Sequence, residues 1–178
     1  MENGGLVVGC SNMFYGTPNN LLLPGLARTM GEGWETARRR DADNDWVMVR
    51  LGLPGLVRLV ELDTTHFKGN APGEVRLTGI DARESSVDDS GAWVDIVPRT
   101  RVQPDTRHRL RVTGAAGATH VRLDAYPDGG MARLRLLGEP APGALEDLAR
   151  RWFDALPAAH QAQVRAQSDW PQSLPRPQ

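Results

Sequence analysis

"DWVMVRLGLPGLVRLVELDTTHF", residues 45–67, sets the secondary-structure class of the chain. Two runs within it, 45–53 and 57–67, carry the apolar alternation and β-branched enrichment of half-buried strands. The same texture recurs at 74–80, 92–97, 107–113, 119–126 and 131–138. Glycine (19) and proline (13) are scattered between these runs, as tight turns between short strands require. In "PDGG", 127–130, Pro127 fixes one backbone angle and two glycines are free to take positive φ, so the strands on either side are expected to pair as a hairpin. Helices do not alternate with these strands as a parallel sheet would need. The expected fold class is therefore all-β, a two-sheet antiparallel sandwich.

The texture changes after residue 138. "EPAPG" breaks the pattern, and "ALEDLARRWFDAL", 144–156, then sets Leu145, Leu148, Trp152 and Leu156 on one helical face, stopped by Pro157. This helix is expected to pack back on the sandwich through that face. A weaker helix is expected over 158–167 and a loose tail over "SDWPQSLPRPQ". The division expected is a sandwich domain at 1–138 and a C-terminal helical appendage at 139–178.

Composition narrows function. Lys and Arg total 21 against 22 Asp and Glu, a formal charge of -1, so no electrostatic reason favours nucleic acid or an anionic membrane as partner. One cysteine, Cys10, rules out an intramolecular disulfide and a four-cysteine zinc site, and it suits a reducing compartment. No apolar stretch approaches the roughly 18 residues that span a bilayer, and "MENGGLVVGC" lacks the form of a leader, so a cytoplasmic location is expected.

Three constellations could carry chemistry. If the alternation of "VRLVELDTTHFKGN" continues, Val60, Leu62, Thr64, His66 and Lys68 share the inward face, bringing His66 and Lys68 to a sheet end where a sandwich can open into a cleft. The plainer alternative is a hydrogen-bonded histidine and a solvated lysine. "GEGWETARRRDADNDW", 31–46, holds Glu35, three arginines and Asp41, Asp43 and Asp45; its guanidinium forks suit a carboxylate, unless the mixed charges simply pair with one another. On 119–126 a polar face carries His120, Arg122, Asp124 and Tyr126, of which His120, with Arg107 on the preceding strand, is the better candidate for a site at an edge. There is no G-x-S-x-G elbow, no HExxH pair and no GxxxxGK[ST] loop. His66, His108 and His120 could meet at a metal only through the fold. Cofactor use is thus left unknown: the sequence requires none and does not exclude a divalent metal.

"SNMFYGTPNNLLLPGLARTMGEGWETARRRDADNDWVMVRLG", "VELDTTHFKGNAP" and "THVRLDAYPDGGMARLRLLG" together resemble the repeat of the allantoicase family, in order from about Ser11 to Gly138. The resemblance implies a jelly-roll sandwich of the galactose-binding-like type and hydrolysis of allantoate to ureidoglycolate and urea in purine and allantoin degradation. That family carries two such repeats in tandem, and the wording here is most like the C-terminal one. The implied partners are a small ureide substrate and a second repeat, supplied by tandem pairing or by homo-oligomerisation.

Cleaving a C–N bond at allantoate's central carbon needs a cation for the carboxylate, acceptors for ureido N–H groups and an acid/base pair. An imidazole with its ordinary pKa near ~6.5 suits proton transfer at neutral pH, which makes His66 and Glu35 the expected catalytic residues. Arg38, Lys68 or Arg107 would bind the carboxylate; Asn70 and Asp45 would orient ureido amides, with His120 at the site's edge. Two other readings stand beside this one: a non-catalytic module binding a ureide or sugar, and the structural half of a two-repeat enzyme.

Overall fold

The two runs in 45–67 form one strand. The computed structural model describes residues 4–114 and 117–166. The strands are β1 (Leu6–Cys10), β2 (Trp34–Glu35), β3 (Asp45–Asp63), β4 (Glu74–Ile80), β5 (Val94–Arg101), β6 (Arg107–Arg111), β7 (Gly117–Tyr126), β8 (Gly130–Met131) and β9 (Arg133–Pro140); α1 (Ala144–Asp154) and α2 (Ala158–Ala166) follow. All pairings are antiparallel.

β3 changes partners along its length. Its first half pairs with β1 on one side and β7 on the other, and the order continues through β4 to β5. Its second half lies between β6 and β9. Val47 and Val49 from the first half, and Val57, Val60 and Leu62 from the second, belong to one buried apolar cluster with Val121, Leu123, Leu77 and Leu134. One strand thus supplies both layers of the sandwich, and each such side chain fully removed from water contributes about 1.5–3 kcal/mol.

Strict alternation cannot bury both Val57 and Val60, which are three residues apart. A register irregularity against β9 between Val57 and Leu59 resolves this: Arg58 is the extra residue of a bulge and turns outward to Glu139, Nε to Oε1 3.2 Å.

Three expectations need correction. β3 ends at Asp63, so alternation does not continue to His66 and Lys68. The Asp63 carboxylate accepts from Thr65 N at 2.9 Å, and Phe67 N donates to Thr64 O at 3.0 Å, which closes a turn. "PDGG" is no hairpin. β7 already has β3 and β4 on its two edges, so it has no free edge to offer β8 or β9, which pair instead with β2 and β3. Residues 127–130 carry the chain from one layer to the other. The face of α1 also differs. Leu145, Leu148 and Trp152 are exposed, while Ala144 and Phe153 are buried. The bond from Ala141 N to Pro54 O (2.8 Å) fixes where the helix starts, and α2 folds over Phe153, with Arg165 stacked 4.9 Å from its ring centroid and Gln161 Nε2 donating to Phe153 O at 3.2 Å.

The weaker helix expected over 158–167 is α2, and Cys10 closes β1 half-buried against the core. The tail at 168–178 lies outside the described residues. Among the described residues no helix is long and apolar enough to cross a membrane.

Denaturant unfolding should separate the two faces: Leu62→Ala is expected to cost about 2–5 kcal/mol, and Leu145→Ala about 0.5 kcal/mol or less. Equal costs would mean that α1 buries the Leu145 face.

Candidate active site

Loops from three parts of the chain converge on one aromatic ring. Phe67 follows the turn that ends β3 and is fully buried. The ring lies directly on two glycines, since a methyl group at Gly130 would sit 2.0 Å from Cε1 and one at Gly33 would sit 2.8 Å from Cζ. Ala27, Ala71 and Ala132 complete its surroundings. Residues 27–33, 64–71 and 129–132 are therefore held together at one end of the sandwich.

Two of the residues expected from the sequence meet around this ring. Asn70 Nδ2 donates to Glu35 Oε1 at 2.6 Å and lies 3.4 Å from Met30 Sδ, while Asn70 O accepts from Gly130 N at 2.7 Å. Glu35 is fixed on its backbone side by paired bonds with Tyr15, N to O 2.8 and 3.0 Å. Its Oε2 has no hydrogen bond among the described residues.

His66 occupies the third position of the 64–67 turn with φ 74°, a conformation that costs a non-glycine residue about 1–2 kcal/mol. Two contacts hold it there. His66 N donates to Asp105 Oδ1 at 2.8 Å, and Nε2 lies 3.0 Å from Ala27 O. A carbonyl can only accept, so Nε2 carries the proton and Nδ1 is left as the proton-accepting nitrogen. Backbone strain maintained by side-chain contacts is a recurring property of functional sites.

Sequence reading missed Arg133 and Arg135. Arg133, 4% exposed, donates through Nη1 to Glu32 O and Ala132 O, both at 2.7 Å, and through Nε to Gly25 O at 3.2 Å. Arg135 donates to Leu21 O and Gly25 O, both at 3.0 Å, and to Leu23 O. These two forks hold the 21–32 loop by its carbonyls. Burial, and then the neighbouring Arg135 charge, pull Arg133 below the ordinary arginine value, with Glu32 and Asp63 acting against them. The signal in the sequence was the "RLR" of 133–135, where two arginines share the side of the strand opposite the core residue Leu134.

The remaining candidates are scattered. Arg38 is exposed, with no ion pair among the described residues, three positions beyond Glu35. Its neighbour Arg39 behaves as the plainer reading expected, pairing with Asp41 at 2.8 Å, Asp43 at 3.6 Å and Asp45 at 2.9 Å. Asp45 is wholly buried and accepts from Ser11 Oγ at 2.8 Å as well, so it orders the chain beneath the surface. Lys68 is 79% exposed and stands 3.8 Å from Asp105. Arg107, on β6 opposite Asp63, pairs with Glu61 at 4.0 Å. His120 faces Arg50 and Ile80 at the other end of β7, a strand length from Tyr126, and does not join the group. His108 turns to Gln103 O at 3.1 Å. Among the described residues no three His, Cys, Asp or Glu side chains are grouped as a metal ion would need.

This arrangement offers a carboxylate oxygen and an amide oxygen as acceptors for N–H groups and an imidazole nitrogen for a proton. The family model "Allantoicase repeat" matches residues 1–141. The chain belongs to the allantoicase repeat family. It is 57% identical over 140 residues to a protein of Nocardia farcinica named "Probable allantoicase", covering 78% of this chain and 40% of that one. The solved allantoicase of Saccharomyces cerevisiae superposes with a TM-score of 0.69 at 33% identity, over 76% of this chain and 41% of that chain. A fucolectin from striped bass serum matches with a TM-score of 0.62 at 15% identity, over 78% of this chain and 48% of that one, a likeness of fold alone. The sandwich is thus the jelly roll of galactose-binding-like domains. The chain spans about two fifths of the length of the curated relatives it matches.

Gly130→Ala should overpack the Phe67 ring and lower stability in thermal or denaturant unfolding by about 1–3 kcal/mol. Adding Phe67→Leu should recover part of that loss. Simple additivity of the two substitutions would argue against the ring contact.

Proposed function

We propose that the chain is one repeat of an allantoicase, working in the hydrolysis of allantoate and water to ureidoglycolate and urea, with His66 and Glu35 as its acid/base pair. What supports this reading most is the 57% identity over 140 residues to an allantoicase relative, with Glu35 and Asn70 brought within 2.6 Å of each other from segments 35 residues apart.

The reaction breaks one C–N bond at the central carbon. Water's oxygen goes to that carbon and a proton to the departing ureido nitrogen. In this reading Arg38, free of partners among the described residues, takes the substrate carboxylate through its fork. Glu35 Oε2 and Asn70 Oδ1 accept ureido N–H groups, with Glu35 positioned to move a proton. His66 Nδ1 exchanges the second proton while Nε2 stays on Ala27 O. Lys68 and Arg107 serve as outlying cations. Asp45 acts indirectly, through Arg39.

The remaining length of the relatives points to a second allantoicase repeat as partner, joined in tandem or supplied by another copy. We read residues 1–138 as the repeat and 139–178 as an appendage to it. The lone cysteine and the missing membrane helix among the described residues fit work in the cytoplasm.

Urea release from allantoate is the direct test, on the chain alone and joined to a second repeat. Glu35→Gln and His66→Gly should each reduce kcat about 100-fold or more, the contribution typical of a positioned acid or base. Glycine accepts the positive φ of the turn, so His66→Gly should keep the fold and separate chemistry from stability. Unchanged turnover in both variants would remove them from the mechanism. If neither form releases urea although the chain binds ureides or sugars, the binding-module reading is correct.

A further inference from the structure

At the end of the sheet away from Phe67, α1 and the outer face of β3 and β7 border an open cavity of about 570 Å³. Its walls include Arg50 and His120 from the sheet, Arg83 from the loop after β4, and Asp147, Arg150 and Arg151 from α1. Arg50 and His120 are directly opposite each other in register, so their side chains share a face.

The charges do not balance. Arg83 is held by Asp81, Nη2 to Oδ2 2.6 Å, and Arg150 by Asp147. Arg151 donates only to the Asp147 backbone, Nε to O 3.4 Å, and the Arg50 guanidinium makes no hydrogen bond or ion pair among the described residues, so neither has a carboxylate partner there. Two uncompensated guanidinium groups, one on the sheet and one on the helix, border the same cavity. Their mutual repulsion works against the docking of α1, and a ligand with two negative charges would reverse its sign. His120 Nδ1 is engaged by Thr119 Oγ1 at 2.9 Å, and burial, then the Arg50 charge, hold its imidazolium below the usual pKa.

We propose that this cavity binds a small doubly charged oxyanion, a phosphate or a dicarboxylate, which bridges Arg50 of the sheet to Arg151 of α1 and fixes the helix on the sandwich. Guanidinium forks match both ligand types in bidentate geometry. The site is independent of the reading under Proposed function: it lies at the other end of β7, and a third of its lining comes from residues beyond the 141 that match the family.

Calorimetric titration of the whole chain at fixed ionic strength, with inorganic phosphate in one arm and succinate in the other, tests it. Saturable one-to-one binding in either arm is expected, and the arm that binds names the class. Arg50→Gln and Arg151→Gln should each weaken binding about tenfold or more, and Arg111→Gln, exposed on β6, should leave it unchanged. His120 should titrate at higher pH by NMR once the anion is bound, because the field of Arg50 is then neutralised. Arg151 is exposed on the helix, so its variant remains informative if Arg50→Gln fails to fold. The proposal is overturned by no saturable binding in either arm, by binding indifferent to both cavity substitutions, or by equal weakening in Arg111→Gln.

Discussion

The candidate site depends on one apolar contact, the ring of Phe67 packed against the backbones of Gly33 and Gly130. No hydrogen bond could substitute for it, because the ring fills space that any side chain at those two positions would occupy. Dispersion at such close range is individually small and collectively large, and it fixes three loops relative to one another. Once they are fixed, the polar contacts follow: Asn70 reaches Glu35, and His66 reaches Ala27. A hydrophobic residue within a string of polar ones thereby sets the geometry of the chemistry around it.

Arginine serves this chain in different ways. Arg133 and Arg135 act as scaffold, each guanidinium exchanging water for several backbone carbonyls of the 21–32 loop. Burying such a charge is tolerable because its donors remain satisfied. Arg39 is a local organiser, tied to three aspartates and, through its N–H, to Asp128 at 2.8 Å. Arg38, Arg50 and Arg151, like the exposed Arg40 and Arg111, have no carboxylate partner among the described residues, and so keep capacity for a ligand.

Strand positions were legible because alternation is a local property: Val47 and Val49, or Leu123 and Ala125, show their faces without knowledge of any partner. Pairing was not legible, because it depends on which edges are already occupied. "PDGG" is good turn chemistry, yet β7 had no edge to give. The bulge at Arg58 was hidden in an apparently regular run, and the end of β3 was missed although Asp63 followed by two threonines is a readable side-chain turn. At the site, Glu35 and Asn70 were found from residue chemistry and family wording. His120 was misgrouped because a strand carries its two ends far apart. On α1, the choice of Ala144 and Phe153 over Leu145 and Trp152 was made by the bond from Ala141 to Pro54 that fixes how the chain enters the helix from β9, which helical periodicity does not record.

The sharing of β3 between both layers has a consequence for how the chain is made. The strand is complete at Asp63, yet its last partner, β9, extends to Pro140. At roughly 5–20 residues per second, synthesis leaves the second half of β3 with an open edge for on the order of ten seconds. Through that interval its unpaired amides and carbonyls, and the apolar face of Val57, Val60 and Leu62, are available to any other extended chain. Neither layer can close without the other, so the domain emerges as one cooperative and slow event. The nascent chain needs shelter longest at the strand on which the finished protein relies most.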